Sequence, residues 1–161
     1  MPNAFLPALA FLLTCGVVAA QTATAGPVRN EALFAAATAA KPATIETLKN
    51  LVNIETGSTN AEGMAQMTNF LEGQLKALGA TVTRSKTEAN TISKPVGENI
   101  YGTIKGTGTK KILMMAHMDT VYPAGILSRR PFRIEGNRAY GPGIADDKGG
   151  IAVILHAIAL L

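Results

Sequence analysis

The sequence predicts an α/β domain built around a mixed sheet, and three observations carry this. Apolar residues recur at helical spacing in the first half of the chain. Alternating or wholly apolar short runs follow in the middle. A glycine-rich turn then opens a last apolar helix. Composition agrees, because 47% hydrophobic and 16% charged residues over 161 positions fit one globular domain. The formal net charge of +4 reads as a mildly basic surface. Lys and Arg are scattered, and no dense basic block is interleaved with aromatics, so no nucleic-acid partner is expected.

Residues 1–25 form a segment of their own. Positions 4–20 are almost wholly apolar and uncharged, and small residues cluster at Val18-Ala19-Ala20 and again at Ala23-Thr24-Ala25. This pattern predicts a secretory signal peptide, cleaved after Ala20 or after Ala25. An uncleaved membrane anchor is the alternative, but the run is short for a span, and Gly16 and the polar residues after Ala20 favour cleavage. Cys15 is the single cysteine, and Thr14 before it is not the Gly or Ala of a lipoprotein signal. Cleavage leaves residues 26–161 without a thiol, which suits an oxidising periplasm. The expected location is periplasmic or secreted, with no stable membrane association after cleavage.

The remaining elements follow in order. Asn30 caps a helix through Leu33, Phe34 and Ala37, and Pro42 opens a second with Ile45, Leu48, Leu51 and Val52 on one face. A third helix over 63–78 presents Met64, Met67, Phe70, Leu71, Leu75 and Leu78, with Gly79 as its C′ residue. Its methionines read as core filler rather than a metal-binding group. Residues 81–84 and 99–104 alternate as strands, joined by a polar connection at 87–95. Gly106-Thr107-Gly108 turns the chain into residues 112–118, a short apolar run after Lys110-Lys111 that predicts a buried strand. Residues 132–137 predict a strand ending in a turn. The last helix runs through Ile151, Val153, Ile154, Leu155 and Ile158, and His156 within it reads as a structural histidine.

The chemistry concentrates at two places. His117 and Asp119 stand two positions apart at the end of the 112–118 run, so alternation puts them on one side of a strand. The carboxyl end of a strand is where open α/β sheets place their ligands. A neutral imidazole is a good zinc ligand, and a carboxylate such as Asp119 can take its other N–H and fix the ring. Asp146 and Asp147 follow a Gly141-Pro142-Gly143 turn at the entry to the last helix, where the helix dipole and capping favour carboxylates. A carboxylate has two oxygens and can bridge two metal ions. Each part alone has a plain structural reading as a turn, a cap or a polar strand end. The conjunction of strand, His-x-Asp, glycine-rich turn, Asp-Asp-Lys-Gly-Gly and helix is what points to metal.

The strings LVNIETG, HMDTVY, PFRIEG, AYGPGIADDKGG and AVILH, spread over residues 31–161, carry a more specific likeness. The chain resembles the N-terminal part of zinc-dependent glutamate carboxypeptidases of the carboxypeptidase G type. These sit within the aminoacylase, dipeptidase and succinyl-diaminopimelate desuccinylase metallopeptidase family. The resemblance implies a three-layer catalytic domain with a mixed, mainly parallel sheet, only its N-terminal part present here. It implies two zinc ions per intact site, with His117 binding one and Asp146 bridging both. Asp119 becomes the catalytic aspartate that orients His117, and the Asp146–Asp147 peptide is expected to be cis. A later Glu-Glu pair would supply the general base, and later acidic residues and a late His the remaining ligands. Glu88, Glu98 and Glu135 sit in no matching motif. The intact protein is expected to dimerise through a further domain. That architecture needs roughly twice this length or more. The last helix ends without a capping residue, so the chain reads as truncated.

The implied activity is that of a zinc exopeptidase or amidohydrolase releasing C-terminal glutamate from peptide or folate-like amides, the truncated chain itself being inactive. The substrate would be a small peptide or N-acyl amino acid. An aminoacylase, dipeptidase or desuccinylase would use the same residues on another amide. From a different class, a truncated chain could be a non-catalytic binder. Tyr122, Arg129 and Arg130 could flank a substrate carboxylate, with an exposed loop as the default reading.

Overall fold

The computed structural model describes residues 28–88 and 96–161. The segment read as a signal peptide and most of the 87–95 connection lie outside these residues. Three helices and two small sheets are arranged as α1 (Glu31–Val52), α2 (Ala61–Ala77), β1 (Thr81–Lys86), β2 (Glu98–Thr103), β3 (Arg133–Glu135), β4 (Arg138–Tyr140) and α3 (Gly149–Ala159).

Asn30 caps α1 as its sequence position demands, its side chain accepting from Leu33 N at 3.0 Å. The expected second helix is not separate. Pro42 lies inside a continuous α1, so the apolar faces on either side of it belong to one element. The Pro ring removes one N–H, and a single missing bond within a 22-residue helix does not end it here. Asn60 caps α2 by accepting from Gly63 N at 3.0 Å, so this helix begins at Ala61, two positions before the sequence reading. At its other end Gly79 N donates to Lys76 O and Ala80 N to Leu75 O. That pair of bonds is a Schellman closure with Gly79 at C′.

The core lies where α1, α2 and α3 meet. Leu51, Met67, Leu71, Ile151, Ala152 and Leu155 are buried together, with Leu48, Phe70, Leu75 and Met118 packed against them. α1 packs on α3, and α2 packs on β1 and β2. The α2 methionines are core, as their spacing predicted. His156 faces α1 and shares a 2.9 Å hydrogen bond with Thr47 Oγ1, which fits a structural histidine.

The described sheets are both antiparallel. β1 pairs with β2 from Thr81↔Thr103 to Lys86↔Glu98, and β3 pairs with β4 around the Gly136-Asn137 turn. Among the described residues, parallel pairing is confined to one bridge, Gly57↔Thr120. Residues 112–118 form no regular element and take no ladder partner among the described residues. The expectation of a buried strand is therefore corrected. Ile112, Leu113 and Met115 are about four-fifths exposed, because an apolar run is buried only when neighbouring strands cover it. No helix among the described residues is long and apolar enough to cross a membrane.

Candidate metal centre

Two loops from opposite ends of the sequence pattern meet at one point. His117 Nε2 lies 2.8 Å from Asp146 Oδ1 across 29 positions. His117 Nδ1 lies 3.0 Å from the backbone oxygen of Asp119 and 3.2 Å from its Oδ1. The neutral ring carries one proton. Two Asp119 oxygens can accept a proton from Nδ1, and with a metal on Nε2 the proton would rest on Nδ1; without metal the nearer Asp146 oxygen competes for it at Nε2. The Asp146 carboxylate raises the His117 pKa above its ordinary value. Burial opposes this, and Asp119 supports it through its side chain and backbone.

Asp146 and Asp147 divide the two tasks that the sequence assigned to them jointly. They sit in a wide helical turn, Ile144–Lys148, in which neither has helical dihedrals. The peptide between them is cis. Asp147 Oδ1 accepts from Gly150 N at 3.2 Å and so serves the first turn of α3. Asp146 turns outward to His117. Both carboxylates stand at the entry to α3 as the sequence reading placed them, and of the two Asp147 is the one that bonds the first turn.

The approach of the two loops is set by small contacts. Gly143 has φ 75°, and a Cβ there would lie 2.6 Å from Thr120 Cγ2, so only glycine fits. Thr120 N donates to Thr56 O at 2.7 Å, and Ser58 N donates to Thr120 O at 2.9 Å. These bonds hold the residue after Asp119 against the segment that follows α1. A Cβ at Gly57 would lie 2.4 Å from Tyr122 O, so this approach also needs glycine.

Three residues at the site carried no chemical signal in the sequence reading. Ser58 Oγ donates to Asp119 Oδ2 at 2.7 Å. The Glu55 carboxylate accepts from Leu127 N at 2.8 Å and Gly125 N at 2.6 Å, and these N–H groups hold its pKa below the ordinary value. Lys148 is buried at 1% exposure, and its Nζ donates to Ile54 O at 2.6 Å. Burial pushes that amine down to about 8, with Glu55 opposing. All three bear on residues 54–58, of which the sequence reading singled out only the part within the LVNIETG string. The signal was a Glu-Thr-Gly-Ser run placed directly after a helix, whose partners lie more than 60 positions away.

Beside Asp146 a recess of about 250 Å³ is walled by Tyr122, Tyr140, Gly141 and Ile144. A second, of about 420 Å³, shares Tyr122, Tyr140 and Gly141 and adds Arg130 and Arg133. Arg133 stacks 4.4 Å from the Tyr140 ring centre and pairs with Glu135 at 2.6 Å. Of the loop residues flagged for a substrate carboxylate, Tyr122 and Arg130 line this space and Arg129 does not. Glu98 is engaged by Arg84.

The donor types suit zinc, with one imidazole nitrogen and one carboxylate oxygen aimed at a common point. Among the described residues no three His, Cys, Asp or Glu side chains are grouped to hold a metal ion. His117 and Asp146 are thus a pair of candidate ligands and not a complete set.

Comparison with known proteins gives the same direction. Residues 113–161 match the profile of peptidase family M20/M25/M40. Carboxypeptidase G2 from Pseudomonas sp. (strain RS-16) is 61% identical over 133 residues, 83% of this chain and 31% of that protein. Succinyl-diaminopimelate desuccinylase from Gluconobacter oxydans is 35% identical over 63% of this chain and 26% of its own length. The chain thus spans between a quarter and a third of these curated relatives. Among solved structures, human carnosine dipeptidase 1 superposes with a TM-score of 0.68 over 81% of this chain and 30% of its own, at 22% identity. A tripeptidase from Staphylococcus aureus does so with a TM-score of 0.54 over 73% of this chain and 31% of its own, at 25% identity. The α/β class read from the sequence is the class of these neighbours, and the likeness to peptidase family M20/M25/M40 runs through residues 113–161, within a chain 61% identical to Carboxypeptidase G2 over 83% of its length.

Proposed function

We propose that this chain supplies the first metal-binding half of a two-zinc exopeptidase or amidohydrolase site. In the intact enzyme that site would release C-terminal glutamate from peptide or folate-like amides. One observation carries the metal reading: His117 Nε2 faces Asp146 Oδ1 at 2.8 Å while Asp119 occupies Nδ1. Zinc bound there would supply Lewis acidity, polarising an amide carbonyl and easing loss of a proton from water. The residues of this chain hold and orient. His117 and Asp146 are the proposed ligands, with Asp146 keeping a second oxygen for a second ion. Asp119 fixes the His117 ring, and the recess beside Asp146 is where the scissile amide would rest. The 61% identity to Carboxypeptidase G2, against 35% to the desuccinylase, supports glutamate release over the other amides. Export to the periplasm or medium and a homodimeric intact enzyme belong to the same proposal.

The test is a panel of glutamyl amides, N-acyl amino acids, dipeptides and succinyl amines offered to the zinc-loaded full-length gene product. Glutamate release is expected to dominate. His117→Ala or Asp146→Ala is expected to lower kcat by about a hundredfold or more. Activity that survives both chelation and His117→Ala would overturn the metal reading. A clear preference for succinyl amines would keep the metal and replace the substrate.

A further inference from the structure

We propose that Ser58 is a positioning residue for the metal centre, holding the Asp119 carboxylate so that its other oxygen stays on His117 Nδ1. The proposal rests on the metal reading above, and it adds a residue from a different part of the chain.

Ser58 and Asp119 are 61 positions apart, yet the Ser58 hydroxyl lies 2.7 Å from Asp119 Oδ2. The same hydroxyl lies 3.2 Å from Thr120 O. It has one proton, and the ionised, nearer carboxylate oxygen takes it, since charge-assisted bonds are shorter and stronger. Asp119 is thereby held at both ends, with Oδ2 on Ser58 and Oδ1 3.2 Å from the His117 ring. The backbone fixes this delivery. Ser58 N donates to Thr120 O, Thr120 N donates to Thr56 O, and Gly57 bridges Thr120 in parallel. The hydroxyl is therefore presented from a braced segment rather than a free loop.

A held carboxylate matters because Asp119 is half-exposed and has no other side-chain partner than His117 and Ser58 among the described residues. Without Ser58 it can turn to solvent, and Nδ1 then keeps only the Asp119 backbone oxygen at 3.0 Å. The ring loses its charged partner and becomes a less basic, less firmly oriented ligand. Ser58 is exposed and packs no core, so its hydroxyl has this positional task and no evident structural one.

The chain carries two histidines, and His156 is engaged by Thr47 well away from this brace, so it serves as an internal reference. Long-range ¹H–¹⁵N spectra of the zinc-loaded full-length gene product, labelled at histidine, report the Nδ1 proton of His117. The expected result is a downfield, slowly exchanging Nδ1 proton that moves upfield and exchanges faster in Ser58→Ala and returns in Ser58→Thr, with the His156 signals unchanged. Zinc affinity, measured by competition with a chromophoric chelator, is expected to fall about 3- to 10-fold in Ser58→Ala, as remote support of a ligand does, and to recover in Ser58→Thr. Equal melting temperatures of the three proteins show that the fold is not what changed. A wild-type His117 Nδ1 signal in Ser58→Ala would overturn the proposal. If His117→Ala still abolishes zinc binding in that case, the metal reading stands without Ser58. A changed Nδ1 signal in Ser58→Ala together with intact zinc binding in His117→Ala would support the positioning role and count against His117 as a ligand.

Discussion

Glu55 shows how a single side chain outside the ligand set shapes the site. Its carboxylate takes two backbone N–H groups, from Leu127 and Gly125, and so ties the loop after His117 to the segment after α1. Those bonds favour the ionised form, and its pKa is lowered from the ordinary 4.5. The sign follows from proton counts. Near and just below that ordinary value the unfolded chain binds a proton that the folded chain refuses. The stabilisation is thus fully present above the unfolded value and is lost as pH falls through the lower folded value. Denaturant unfolding measured from pH 7 down to pH 3 is expected to show a declining acid limb that Glu55→Gln makes shallower. An unchanged slope in the variant would mean that the clamp does not form. Lys148 lies on the other side of the same segment, its buried amine on Ile54 O, so residues 54–58 are gripped by both loops that bear the proposed ligands.

At the scale of elements, the brace rests on the parallel bridge between Gly57 and Thr120. Gly57→Ala would drive a methyl group into Tyr122 O, and the backbone on one side has to move. The expected cost is about 1–3 kcal/mol of stability, the usual range for overpacking a fitted site. A chemical denaturation curve and the His117 ring spectrum should change together, because the bridge carries Ser58 to Asp119. The helices around this bridge were legible in the sequence, because periodicity, Asn30 and Gly79 are local signals read within a few residues. Pro42 misled as a helix start, since a proline acceptable at a first turn is also acceptable in a helix that packing holds. The run at 112–118 was read as a strand from its apolarity, but pairing is a tertiary property, and no ladder partner exists for it among the described residues. His117, Asp119 and Asp146 were singled out because their spacing repeats a motif, and the fold brings their side chains together. Ser58, Glu55 and Lys148 were missed because their partners are set by the fold and by no pattern along the chain.

For the whole molecule, the geometry sets a limit on what these 161 residues do unaided. His117 and Asp146 are the two side chains that converge as ligands, with Asp119 behind them, and no third metal-binding side chain joins them among the described residues. A catalytic zinc takes about three protein ligands and one open position. Hydrolysis also needs a base placed to accept the proton of water. Glu98 and Glu135 are engaged by Arg84 and Arg133 at the surface, and Glu55 is spent on backbone N–H groups. Exposed Ile112, Leu113, Met115 and Val121 add an uncovered apolar surface near the site, which favours self-association. A purified chain of residues 26–161 is therefore expected to bind zinc weakly, to aggregate at modest concentration, and to release no glutamate from glutamyl amides. Isothermal titration with zinc, light scattering and a glutamate-release assay check the three outcomes. Release of glutamate that requires zinc and disappears in His117→Ala would show that the chain completes its own site, for instance by pairing two copies, and would overturn this limit.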